Sequence, residues 1–287
     1  MVAVRKWGDD HINKSIRQIN LDTWLIDGLV LHRSPCLSNA ATWNDDGDNS
    51  SYTLTEAPTP LPSATTPLDS HYINYIEEGV TPESVTLNFV RGQHPSFETP
   101  KVIHHAFGND RSYLFLQRVP GRTLDAAWPS LDEYWRRHYV GVVANICSEM
   151  AEWKGPEFGG VDGKNIPERY LLKPSAPEDF SSANLQAECE AMGMDCSNFV
   201  FGHADLGPTN IIVEDEPDSG KVGIIDFEIA GYFPRSWIRT KFRISSGMDL
   251  SPLAADNPHW WRAEVQRALG ANGFDDAVEA WEEWWRG

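Results

Sequence analysis

The sequence is short of several things, and each shortage excludes a class of protein. No run of the ~18 apolar residues that a membrane-spanning helix needs occurs in its 287 residues. The start, MVAVRKWGDDHINK, has no apolar stretch behind its basic residues, which argues against a secretory leader and makes a cytoplasmic chain the expectation. Cysteine is sparse: Cys36, Cys147, Cys189 and Cys196 show no CxxC spacing, so a zinc cluster is not expected and the thiols read as reduced. Positive charge is scarce as well, 24 Lys and Arg against 42 Asp and Glu, for a formal net charge of −18. Such a surface repels phosphate backbones and anionic lipid, so neither nucleic acid nor membrane is expected as a partner. It tolerates a neutral or cationic small molecule, although acidity serves solubility alone equally well. The early glycines, Gly8, Gly28, Gly47, Gly79 and Gly92, stand singly, so there is no G-x-G-x-x-G, and no lysine occurs between Lys14 and Lys101. What is present is ordinary for a globular chain, 41% hydrophobic and 23% charged, at a length for one large domain or two modest ones.

Thr23–Ile26, Asp27-Gly28 and Leu29–Arg33 read as a hairpin, because Asp-Gly between apolar runs suits a two-residue turn. Residues 34–70 are crowded with Ser, Thr, Pro, Asn and Asp and read as a long loop or disordered linker. Order returns at Thr81-Pro82-Glu83, a helix start with Thr81 as N-cap and Pro82 at the first turn, running to about Arg91 with Val85 and Phe89 on one face. Lys101–Phe107 and Tyr113–Arg118 read as strands about Gly108-Asn109-Asp110, with one of His104 and His105 facing out and surface placement expected rather than metal binding. Ser130 and Glu133 form a capping box for a helix to Lys154, whose Trp135, Tyr139, Val142, Val143, Ile146, Met150 and Trp153 recur at three and four residues. Further helices are expected at 181–194, Pro258–Leu269 and Asp275–Trp285. The last two carry faces of Trp261, Val265 and Leu269, and of Val278, Trp281 and Trp285.

The chemistry sits in FVFGHADLGPTNIIVEDEPDSGKVGIIDFEIAGYFP, from Phe199 to Pro234. Three short apolar runs, Phe199–Phe201, Ile211–Val213 and Val222–Ile225, are separated by polar loops that bring in His203, Asp205, Asn210 and Asp226. Phosphoryl transfer uses this set of groups. One carboxylate orients the attacking hydroxyl and takes its proton; an amide oxygen and a second carboxylate hold Mg²⁺ against the nucleotide phosphates. Asp205 fits the first role, Asn210 and Asp226 the others. His203-Ala204-Asp205-Leu206 followed by Asn210 matches the kinase pattern H-R-D-L-x-x-x-N with Ala for Arg, and Asp226-Phe227-Glu228 matches D-F-G with Glu for Gly. Without that Arg there is no clamp for an activation-loop phosphate, which favours a small-molecule kinase over a protein kinase. Glu228 is open between a place in the metal shell and a surface charge.

GHADLGPTNIIV followed by GIIDFEIAGYFP resembles the aminoglycoside phosphotransferase and choline kinase superfamily, in particular its fungal phosphotransferase-like branch, over roughly residues 80–287. TPESVTLNFV, similar to the family's helix C, and RVPGRTLDAAW, after its hinge, extend the likeness. The resemblance implies an α+β, two-lobed protein-kinase-like fold, ATP as donor, Mg²⁺, and a hydroxylated small molecule as acceptor. It implies Asp205 as catalytic base with His203 in support, Asn210 and Asp226 as metal ligands, Glu83 as the helix glutamate on the nucleotide side, and a hinge near Gln117 and Val119 whose backbone meets the base. The expected division is a reduced nucleotide-binding lobe, 1–118, and a helical catalytic and acceptor-binding lobe, 119–287, with Asp205, Asn210 and Asp226 converging on the cleft.

The chain departs from that family in the nucleotide half. Relatives carry a strand lysine just before the segment matching TPES, and here HYINYIEEG runs straight into it. Arg33, Arg91 and Lys14 are the candidate substitutes, and Arg replaces a phosphate-binding Lys poorly. Glu83, deprived of its partner, is expected to turn to solvent or to an arginine. Two functions stay open on the sequence: an ATP-dependent small-molecule kinase, or a weak or inactive kinase-fold binding protein.

Overall fold

A computed structural model describes residues 16–26, 29–35, 50–56, 66–67, 74–75, 79–107, 111–174 and 177–287. These fall into two units, one of residues 1–77 and 102–118 and one of 78–101 and 119–287. In the first, β1 (Ile16–Asn20), β2 (Thr23–Ile26), β3 (Leu29–Pro35), β4 (Ser50–Glu56) and β5 (Thr66–Pro67) form a sheet in the order β4-β3-β2-β1-β5. The hairpin is as expected: Trp24 opposes Leu31 and Ile26 opposes Leu29, burying Trp24, Leu25, Leu29 and Leu31. Asp27-Gly28 lie outside the described residues, as do Cys36 and the turn at 108–110. β4 corrects the reading of 34–70 as loop throughout. It pairs antiparallel with β3 from Leu29↔Glu56 to Pro35↔Ser50. Its Tyr-Thr-Leu-Thr core alternates with β-branched residues, a strand pattern that the Ser- and Pro-rich flanks obscured. A second small sheet joins β6 (Asn74–Tyr75), β7 (Lys101–Phe107) and β8 (Arg111–Gln117) in the order β6-β8-β7.

The second unit opens with α1 (Glu83–Gly92). Its cap is Pro82, whose carbonyl accepts from Val85 N, and not Thr81. The Thr81 hydroxyl lies one residue before the cap and donates instead to Asp162 Oδ1 at 2.5 Å. The buried face is Ser84, Thr86, Leu87 and Val90. Val85 and Phe89 are half-buried, and the Phe89 ring meets Trp153, Phe201 and Tyr232. Because α1 packs on these residues, it belongs to the second unit rather than to the N-terminal lobe of the sequence reading.

β9 (Arg122–Thr123) leads into the short α2 (Leu124–Ala127) and the long α3 (Glu133–Met150). Asp132 caps α3 by accepting from Trp135 N at 2.9 Å. The expected Ser130–Glu133 box does not form, because Ser130 donates to Ala127 O while Glu133 pairs with Arg137. Tyr139, Val143, Ile146 and Met150 line the buried face as the spacing predicts. Then follow β10 (Lys154–Gly155), α4 (Ser182–Ala191), β11 (Phe199–His203), β12 (Ile211–Val213), β13 (Val222–Ile224), β14 (Ala230–Pro234), α5 (Arg235–Ile244), α6 (Trp260–Ala271) and α7 (Val278–Arg286). The strands make two sheets, β10-β11-β14 and β13-β12-β9. On α6, Trp261, Val265 and Leu269 are buried as expected. On α7 the buried tryptophan is Trp284, whose indole N–H reaches Glu188 Oε2 at 2.5 Å, while Trp285 is 36% exposed. The helix starts three residues later than expected, so the inward face turns.

α5 was not foreseen. Its four basic residues, Arg235, Arg239, Lys241 and Arg243, disguise a helix that buries Trp237, Ile238, Thr240 and Phe242. Lys241 is buried too, with Nζ 2.6 Å from both oxygens of the buried Glu168 and over the ring of Tyr170. Replacing such a pair is tolerable, but removing one partner strands a charge. Lys241→Met is therefore expected to lower unfolding stability by about 3–5 kcal/mol. Glu168→Gln in the same chain is expected to restore part of it, as chemical denaturation would read.

Candidate active site

β11 ends in a tight turn that arranges the first cluster. Gly207 N–H donates to Asp205 O, Pro208 leads a single helical turn to Asn210, and Asn210 N–H donates back to Gly207 O. The Asn210 amide nitrogen then donates to Asp205 O at 2.8 Å and lies 3.4 Å from Asp205 Oδ2. Asn210 O accepts from Ile225 N at 3.0 Å, extending the β12–β13 ladder and setting Asp226 next to the turn. Asp226 sits at φ 66°, ψ 60°, a left-handed conformation that a non-glycine residue holds only where its surroundings over-determine it. Asp205, Asn210 and Asp226 are thus drawn together within the second unit.

His203 joins the two loops. Its Nε2–H donates to Ile225 O at 3.0 Å, and its Nδ1 accepts from Asp205 N–H at 3.2 Å, so the tautomer follows from the partners. The ring packs edge-on against Phe227, centroids 4.8 Å apart, and burial holds its pKa below the usual value for imidazole. With both nitrogens committed to backbone, His203 is a positioning residue.

Glu83 turns neither to solvent nor to an arginine. Its Oε1 accepts from Phe227 N–H at 3.1 Å. Burial first, then the charge of Asp226, pushes its carboxyl up to about 7. Of the two hinge residues, Gln117 is exposed at the end of β8 in the first unit. Val119 is buried in the second unit against Gly223, where an added Cβ would stand 2.5 Å from Val119 Cγ1.

The donor set suits a hard cation. Asn210 spends its nitrogen on Asp205, leaving Oδ1 without a donor among the described residues, and with the Asp226 carboxylate it offers the oxygen ligands that Mg²⁺ takes. Among the described residues no group of three or more His, Cys, Asp or Glu side chains is placed to hold a metal. What sequence reasoning missed is the strap 245–251, which lies against the turn at Gly207 and carries no motif that could have announced it. A Cβ on Gly207 would stand 3.0 Å from Gly247 O and 3.1 Å from Met248 Cα.

The sequence model of the phosphotransferase enzyme family matches residues 76–237, more than half of the chain. No curated protein matches. Among solved structures, an aminoglycoside-3'-phosphotransferase of type VIII is 20% identical over 71% of this chain and 77% of that one, at TM-score 0.46. The aminoglycoside phosphotransferase APH(3'')-Id of Streptomyces rimosus, with ADP and streptomycin, is 16% identical over 70% and 79%, at TM-score 0.44. A gentamicin complex of APH(2")-IIa is 13% identical over 99% and 86%, at TM-score 0.43. The family assignment rests on the sequence match. No described helix is long and apolar enough to cross a membrane.

Ionising Glu83 costs folding energy, because its folded pKa lies above the ordinary 4.5. The stability it contributes is present below 4.5 and is lost as pH rises through about 7. Glu83→Gln, which still accepts from Phe227 N–H, is expected to match the parent's melting temperature below pH 4.5 and to exceed it increasingly up to pH 7. A gap that is constant across that range would remove burial as the cause.

Proposed function

Because this chain belongs to the phosphotransferase enzyme family, we propose that it transfers the γ-phosphoryl group of ATP, in a Mg²⁺-dependent reaction, to a hydroxyl of a neutral or cationic small molecule. The observation that supports this most is the Asn210 amide, which binds Asp205 through its nitrogen and leaves its oxygen open beside Asp226. Asp205 and Asn210 are thereby fixed to one another at hydrogen-bond distance, with Asp226 one residue beyond the Ile225 N–H that donates to Asn210 O.

In this reading the acceptor oxygen attacks the γ-phosphorus while the bond from that phosphorus to the β–γ bridging oxygen breaks, and ADP leaves with that oxygen. Asp205 orients the acceptor hydroxyl and receives its proton. Asn210 Oδ1 and the Asp226 carboxylate would hold Mg²⁺, which supplies neutralisation of phosphate charge. His203 keeps the Asp205 turn and the Asp226 loop at a constant spacing, and the backbone at 117–121, including Gln117 and Val119, meets the nucleotide base.

A second reading, slow turnover or none, is favoured by one observation: Glu83 is bonded to Phe227 N–H rather than to a lysine. Loss of one preorganised electrostatic contact costs ~2.7–4 kcal/mol at the transition state. Turnover is therefore expected about 10²–10³ below that of a relative with the lysine. Asp205→Asn is expected to lower ADP formation by about 10²–10⁴ while leaving Mg²⁺·ATP binding in place. Asp226→Ala is expected to abolish the Mg²⁺-dependent part of nucleotide binding in calorimetric titrations. Absence of Mg²⁺·ATP binding in the parent would leave only the binding-protein reading.

A further inference from the structure

The two oxygens of Asp205 face different neighbours. Oδ2 lies 3.4 Å from the Asn210 amide nitrogen. Oδ1 accepts nothing from the described residues and looks toward Gly247, where an added Cβ would stand 3.8 Å away. We propose that the acceptor hydroxyl reaches Asp205 Oδ1 across Gly247, which makes residue 247 the position that decides what the site admits; this rests on the phosphotransferase reading above.

The strap is held at both ends and open in the middle. Ser245 N–H donates to Lys241 O at the end of α5, Leu250 N–H to Pro258 O, and Ser251 N–H to Asp125 Oδ1 at 2.7 Å. Met248 and Leu250 are buried anchors, and Asp249 is held by Arg262 and by His259 Nδ1 at 2.7 Å. Between these fixtures Ser246 and Gly247 are exposed. The strap cannot settle closer to the catalytic turn, because its backbone already touches Gly207. The gap over Oδ1 therefore exists because residue 247 has no side chain. A methyl group there meets only Ser245 Oγ at 3.6 Å and Asp205 Oδ1 at 3.8 Å, ordinary contact distances, whereas a longer side chain stands in the path to the carboxylate.

The wall also says something of the acceptor. Its single acid, Asp249, is neutralised by Arg262, so it presents backbone and serine rather than charge. That suits a neutral, hydroxyl-bearing group on the part of the acceptor that is phosphorylated.

The test uses water as the probe acceptor. ADP formation from Mg²⁺·ATP and Mg²⁺·ADP affinity are measured on the full chain and on Gly247→Ala, Gly247→Leu and Gly247→Phe, with melting curves to confirm folding. Expected are nucleotide affinities within about twofold of the parent throughout, near-parental turnover for Ala, and turnover falling about tenfold or more by Phe. Leu carries the test if Phe does not fold. Parental turnover in Leu and Phe, or affinity lost in step with rate, would overturn the proposal while leaving the phosphotransferase reading intact. A parent that neither binds Mg²⁺·ATP nor forms ADP would overturn that reading first, and this one with it.

Discussion

One imidazole holds the site together. β11, which carries His203, belongs to the sheet β10-β11-β14, while Ile225 follows β13 of the sheet β13-β12-β9. The bond from His203 Nε2–H to Ile225 O therefore ties two separate sheets at the one place where both end in functional loops. The other ring nitrogen turns back to Asp205 N–H. A histidine does this where a lysine does not, because in one neutral tautomer it donates from one ring nitrogen and accepts at the other, along a rigid plane. Burial against Phe227 keeps it neutral, so the bridge does not depend on a counter-ion. The bond from Ala204 N–H to Ile229 O adds a second tie between the same loops.

The left-handed turn at Asp226 is the cost of that arrangement. A strained aspartate, of order 1–3 kcal/mol, persists because Ile225 is clamped before it and Phe227 after it. The second clamp is Glu83, the first residue of α1, accepting from Phe227 N–H. The helix α1, the turn at Asp205 and the loop at Asp226 are thus linked by bonds from the side chains of Glu83 and His203 to backbone groups.

Much of this could be read in advance, and the reason lies in how each part is encoded. The placing of Asp205, Asn210 and Asp226 in adjacent loops could be anticipated because each follows a short apolar run, and the three strands formed within two residues of those runs. The service of His203 was not, because its partner is a carbonyl 22 positions away whose identity is set by strand register. α5 was missed because a buried lysine and a surface lysine spell the same letter; only Glu168, 73 residues away, decides between them. β4 was hidden by its flanks, and the helix caps fall at Pro82 and Asp132 rather than at Thr81 and Ser130. The strap at Gly247 carries no signal of its own; its meaning arises from the carboxylate it leaves uncovered.

The missing lysine is best understood through the glutamate it would have paired with. A buried carboxylate deprived of its cation is among the costlier defects a fold can carry, and two escapes exist: turn outward, or lose the charge. Glu83 is held where it is by Phe227 N–H, so the first is closed. The second is favoured, since burial and the neighbouring Asp226 raise its pKa to about 7 and so shift the carboxyl toward its neutral form. The carboxyl group fastens the loop that bears Asp226. The spacing of Asp205, Asn210 and Asp226 is maintained by bonds from His203, Asn210 and Glu83 to backbone groups of the second unit, so the arrangement stands without a lysine at Glu83.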